Sequence, residues 1–137
     1  IQRTDIELFG GLLQAKNICC FIEPRCFAEM LEKMDTNINK ALLINPNLGI
    51  VYRALGFYQN QRLEENALIA AENAYRKAIE LTPNDAYAYN SLYIAIKSRS
   101  EEEAYRYLEK AYQLDPLSNP IAVNYASLFL VRKGINS

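Results

Sequence analysis

A chain of 137 residues, 50% hydrophobic and 23% charged, has the make-up of one ordered soluble domain with room for a substantial core. Its formal net charge of -1 leaves no basic surplus to neutralise phosphates, which argues against nucleic-acid binding. No apolar run approaches the ~18 residues of a membrane span, and without His or Trp imidazole catalysis and His-containing metal sites are excluded.

The chain shows no signal-peptide layout and opens on Ile1 rather than Met, so a fragment of a longer cytoplasmic protein is expected. Asp5 to about Cys20 reads as a first helix, with Asp5 as N-cap and Ile6, Phe9, Gly10, Leu13 and Ile18 on one face. Pro24 suits the first turn of a second helix, where its missing N–H costs nothing. That helix runs to about Ile44 through Phe27, Leu31, Met34, Ile38, Ala41 and Leu42, and Asn45-Pro46-Asn47 stops it. A third helix over about Leu48 to Asn60 carries Tyr52, Leu55, Gly56 and Tyr58. A gap near Gln59 to Glu64 leads into a fourth helix ending at Leu81.

Thr82-Pro83-Asn84-Asp85 is stop and start together, with Asp85 capping a fifth helix from Ala86 to Lys97. Ser100-Glu-Glu-Glu103 matches a capping box and opens a sixth helix ending at Leu114. After Asp115-Pro116, Asn119 can cap and Pro120 can lead a seventh helix that Gly134 closes. No stretch alternates with period two, so no sheet is predicted.

One stretch organises the rest. AENAYRKAIELTP places Ala71, Tyr75, Ala78 and Pro83 at steps of four, three and five residues. The same steps recur at Ala104, Leu108, Ala111 and Pro116, and more loosely at Met34, Ile38, Ala41 and Pro46. Pro46 to Pro83 is 37 residues and Pro83 to Pro116 is 33. Helix pairs repeating near 34 residues, with small residues where helices touch and a closing proline, resemble the tetratricopeptide repeat family. Six, nine and ten residues past the prolines, where the family prefers a large aromatic, a leucine and a small residue, stand Tyr52, Leu55 and Gly56, then Tyr89, Leu92 and Tyr93, then Ala122, Tyr125 and Ala126. Tyr93 departs from the small residue, which questions the closeness of that helix pair. About three extra residues are expected near Gln59 to Asn66.

The resemblance implies a single all-α domain over residues 1–137, a right-handed superhelix of antiparallel pairs with about seven helices. Its repeats would span about 4–46, 47–83 and 84–116, with a half repeat at 117–134. Stacked pairs bury what each pair cannot bury alone, and the first helix of each pair lines a concave groove. On that register the groove presents Arg53, Phe57, Asn60, Tyr87, Asn90, Ile94, Lys97 and Asn124, with Glu7, Gln14, Val123 and Ser127 beside them. Amides, an aromatic and a few cations suit an extended or helical peptide. Family members that grip a chaperone's C-terminal carboxylate use a set of cations and asparagines. Arg53 fits that set, but Phe57, Ser91 and Pro120 do not.

Three features compete as chemistry. Cys19, Cys20 and Cys26 match no zinc spacing and read first as small buried hydrophobes, with a Cys20–Cys26 disulfide left open. Glu101-Glu102-Glu103 reads first as compensation of a helix dipole rather than a cation site. Among the ten tyrosines, Tyr87 stands off the packing register and is expected to be exposed. No catalytic residue, metal or cofactor is expected.

The expected function is a protein–protein interaction module. The stretches Asp5–Pro46 and Glu109–Ala126 also resemble the C-terminal repeat halves of bacterial winged-helix or cyclase-type regulators, which implies a sensing or docking role. The alternative is a stand-alone adaptor or secretion chaperone that cradles an unfolded client. The seventh helix carries Leu128, Phe129 and Val131 on a face taken as outer, so either an eighth helix or a homodimer contact through Pro120–Lys133 is expected there.

Overall fold

The computed structural model describes residues 23–62 and 64–134, and these form six α-helices with no strand among them. We label them α1 (Pro24–Ile44), α2 (Gly49–Gln61), α3 (Ala67–Leu81), α4 (Ala86–Ile96), α5 (Glu101–Leu114) and α6 (Asn119–Arg132). The helix expected over Asp5–Cys20, with its cap and its groove residues Glu7 and Gln14, lies outside the described residues. The chain divides into two compact units, 1–46 and 47–137.

In the first unit α1 begins at Pro24, as the missing proline N–H favours, and the carbonyl of Glu23 accepts from Cys26 N at 3.1 Å. Met34, Ile38 and Ala41 are its buried residues, the loosest copy of the four-and-three step.

One hydrogen bond ends three of the helices. The residue before the proline donates its N–H to the small alanine four positions back: Asn45 to Ala41 at 2.9 Å, Thr82 to Ala78 at 2.9 Å and Asp115 to Ala111 at 3.0 Å. Those three residues share φ between -138° and -147° and ψ between 80° and 103°. A following proline pushes its predecessor out of the helical region, so the stop is a local consequence of sequence. In each case the next helix begins three residues past the proline, at Gly49, Ala86 and Asn119.

In the second unit consecutive helices pack on one another from α2 to α6, and α2 also touches α4. Ala71, Ala78, Ala104 and Ala111 are fully buried, which lets helix backbones approach. One core cluster joins Ala71, Tyr75, Leu92, Tyr93, Ile96, Ala104, Leu108 and Leu128. A second joins Ala86, Tyr89, Ala111 and Ile121. Tyr93 is therefore taken into the core. It is buried beside Ala104 and Leu108, whereas the equivalent Gly56 is buried under the ring of Tyr75. The bulk has changed sides between the two pairs.

Three local expectations are corrected. Ser100 makes no side-chain cap to the backbone, and Glu103 engages side chains, Arg76 of α3 at 2.7 Å and the Ser100 hydroxyl, in place of the reciprocal capping box. The residue before α6 is Ser118 rather than Asn119, which is already helical, with Pro120 still in the first turn. Leu128 is buried in the first cluster instead of facing outward, while Phe129, Leu130 and Val131 are exposed. Gly134 does close α6, at φ 68°.

Candidate functional site

Asp85 organises the start of α4 and its contact with α2. Its Oδ1 accepts from Tyr87 N at 3.1 Å and Ala88 N at 3.2 Å, which caps α4. Its Oδ2 lies 3.0 Å from Arg53 Nε on α2. The Arg53 N–H is not aligned along that line and makes no hydrogen bond, so charge attraction rather than a directed bond joins the two. The same guanidinium lies 5.4 Å from the centre of the Tyr87 ring, within cation–π range. One carboxylate thus fixes a helix start and places a cation over an aromatic ring.

Tyr87 is held from the other side as well. Ser118, buried at the start of α6, donates its Oγ to the Tyr87 hydroxyl at 3.3 Å. One turn further along, Asn124 Nδ2 donates to Asn90 Oδ1 at 2.9 Å, and Asn90 is buried. The pair bridges α4 and α6 and satisfies a buried amide that would otherwise be costly. Despite two restraints, Tyr87 stays 43% exposed, as the sequence register predicts.

The expected groove residues fall into two sets. Arg53, Tyr87, Asn90 and Asn124 are joined through the contacts above. Phe57, Asn60 and Ile94 are exposed on the same helices, and Lys97 just past the end of α4, one to three turns away. The Lys97 ammonium lies 5.7 Å from the ring centre of Tyr93. Phe57 on α2 and Ile94 on α4, both further along their helices than the linked residues, leave apolar surface open, and Val123 adds more on α6.

Two contributors escaped the sequence reading. Asp85 was visible as a cap, but its bond to Arg53 joins residues from different helices. Ser118 was not singled out, although it stands two residues past Pro116 as Asp85 stands past Pro83. That shared register is the signal that would have found it.

Behind this face, burial pushes the Tyr75 hydroxyl up to about 12, against the weaker opposing pulls of a Ser91 hydrogen bond and the Arg53 charge. The acidic run turns inward to the chain. Glu103 pairs with Arg76, Glu101 accepts from the Tyr105 hydroxyl, and Glu102 lies 3.5 Å from Arg132. Cys26 is half-buried in the first turn of α1, and the Cys20 half of the disulfide question lies outside the described residues. Among the described residues no group of His, Cys, Asp and Glu could hold a metal ion, and no helix is long and apolar enough to cross a membrane.

No known protein family matches this chain, and comparison with characterised proteins returns no match.

Proposed function

We propose that this chain is a non-enzymatic interaction module of the tetratricopeptide-repeat kind. Its exposed α2, α4 and α6 faces would form the groove that takes a peptide or a helix of a partner protein. The observation that carries the reading is Tyr87, an aromatic held between Asp85-anchored Arg53 and Ser118 yet 43% exposed. An aromatic with few freedoms left to lose contributes contact area at low entropic cost. Phe57 and Ile94 extend apolar surface along the same helices, and half-buried Asn124, positioned by its bond to buried Asn90, would offer its amide oxygen to an extended backbone.

The scaffold half of the proposal is a right-handed superhelix of antiparallel pairs across the whole chain. It is supported by the recurring stop bonds at Ala41, Ala78 and Ala111, by common helix starts three residues past each proline, and by neighbour-on-neighbour packing in the second unit. The likeness of Asp5–Pro46 and Glu109–Ala126 to regulator repeats supports a place in the sensing half of a larger signalling protein.

The test is selection of peptides from a displayed library on the wild-type chain, followed by calorimetry with the double variant Arg53→Ala/Tyr87→Ala. Selected peptides should bind wild type and lose about tenfold or more in affinity, roughly 1.4 kcal/mol, on the double variant. Peptides that bind both chains equally would remove these residues from the binding face.

A further inference from the structure

Resting on the groove reading just given, we propose that the peptide taken by the exposed faces of α2, α4 and α6 is acidic. Its Asp or Glu side chains meet Arg53 and Lys97.

Charge is sorted between alternate helices of the second unit. Along α2, α4 and α6, and at the residues that close them, every charged residue is a cation: Arg53, Arg62, Lys97, Arg132 and Lys133. Along α3 and α5 both signs occur, and there stand Glu72, Glu80, Glu101, Glu102, Glu103 and Glu109. Helix dipoles account for cations at helix ends, but not for the absence of acids along the rest of three helices. Nor does composition, since the whole chain has a net charge of -1.

Three of the five cations are otherwise placed. Arg62 pairs with Glu64, and Arg132 lies 3.5 Å from Glu102. Lys133, nine residues past Asn124, falls on the opposite side of α6. Arg53 and Lys97 are left beside the linked set. Tyr87, Asn90, Ile94 and Lys97 fall within an arc of about 80° on α4, so the lysine belongs to the same face. Lys97 is exposed, and no carboxylate pairs with it among the described residues. Asp85 meets Arg53 at Nε and spends its other oxygen on the start of α4. The two terminal nitrogens of Arg53 make no hydrogen bond among the described residues and are open to solvent. That free edge suits a ligand carboxylate, which a guanidinium can hold through two bonds.

The spacing sets the peptide pattern. From Tyr87, which the Arg53 guanidinium covers, to Lys97 is ten residues, or about 15 Å along the helix axis. An extended peptide spans that distance with acids about four or five positions apart, and the residues between them face Tyr87 and Ile94.

Random peptides of about ten residues, displayed and selected on the full chain, should carry Asp or Glu at that separation. The probes are the most enriched sequence, made with an amidated C-terminus, and its copy with both acids changed to Gln. Calorimetry should show the Gln copy bound about fivefold or more weakly than the parent. Added salt should weaken the parent and leave the Gln copy unchanged. Lys97→Glu should weaken the parent by about fivefold or more, with helicity unchanged because Lys97 is exposed. Peptides that lose affinity on Arg53→Ala/Tyr87→Ala yet carry no acid, or whose Gln copies bind as tightly, overturn the acidic partner and leave the groove standing. An affinity indifferent to Lys97→Glu overturns it as well. A library that yields no binder, or only binders that ignore Arg53→Ala/Tyr87→Ala, removes the groove and the acidic partner together.

Discussion

At the residue scale, a sharp constraint falls on Gly56. A Cβ built there would lie 2.5 Å from the Tyr75 ring, closer than atoms can approach. The obstacle is a buried aromatic inside the main core, so it cannot swing aside as the tip of an exposed side chain would. Glycine to alanine inside a helix ordinarily gains about 1 kcal/mol. Overpacking of a close-packed core costs about 1–3 kcal/mol and decides the sign. Gly56→Ala should therefore lower stability by up to about 2 kcal/mol, read as a shift of the urea midpoint. A variant more stable than wild type would show that α2 and α3 do not meet there. Asp85 shows the other side of residue-scale reading. Its capping role follows from its place before Ala86, but its hold on Arg53 depends on where α2 lies.

At the element scale, α3 and α5 are tied on their polar sides by Arg76. Its guanidinium bonds Glu72 within α3, and Glu103 at 2.7 Å and the Tyr107 hydroxyl at 2.8 Å on α5. The hydrogen bond from Arg76, with its charge as a smaller contribution, holds the Glu103 carboxyl below its ordinary 4.5. A depressed carboxyl pKa means the folded state binds the proton less tightly than the unfolded one. The stabilisation is therefore present above pH 4.5 and is lost as pH falls through the lowered value. Glu103 is 41% exposed, so solvent screening limits the pair to about 1 kcal/mol at most. Glu103→Gln should lower the melting temperature slightly at neutral pH and converge with wild type as pH falls well below 4.5. An unchanged gap across that range would mean the pair contributes nothing as a charge interaction.

At the scale of the whole molecule, burial of phenolic hydroxyls links the fold to alkaline pH. Tyr75 is raised to about 12 by burial, and Tyr105 to about 12 chiefly by its hydrogen bond to Glu101. A raised value means the folded state favours the neutral phenol. That stabilisation is complete below the ordinary value of 10.0 and is lost as pH rises from there to about 12. Helicity should fall over that interval together with the late part of the phenolate absorbance. Tyr75→Phe keeps the ring that covers Gly56 and should move the loss of helicity to higher pH. If the midpoint does not move, ionisation of Tyr75 is not what opens the core.

The sequence by itself determined where helices stop and start. Proline acts on its immediate neighbour, and the stop at each repeat is a bond between residues four apart, so no distant contact is needed. It determined the small buried residues too, since Ala71, Ala78, Ala104 and Ala111 recur at one spacing and all are buried. It placed Tyr87 on the surface by the same register.

Tertiary structure alone decided what side chains do when their partner lies on another helix. Glu103 reached across to Arg76 on α3, and Leu128 turned into the core of α4 and α5. Tyr93 was accommodated because Leu108 stands where Tyr75 stands in the preceding pair. Arg53, Asp85, Tyr87 and Ser118 met from α2, α4 and the start of α6. Local stereochemistry is written in neighbouring residues, whereas a contact between residues about thirty positions apart depends on the packing that brings their helices together.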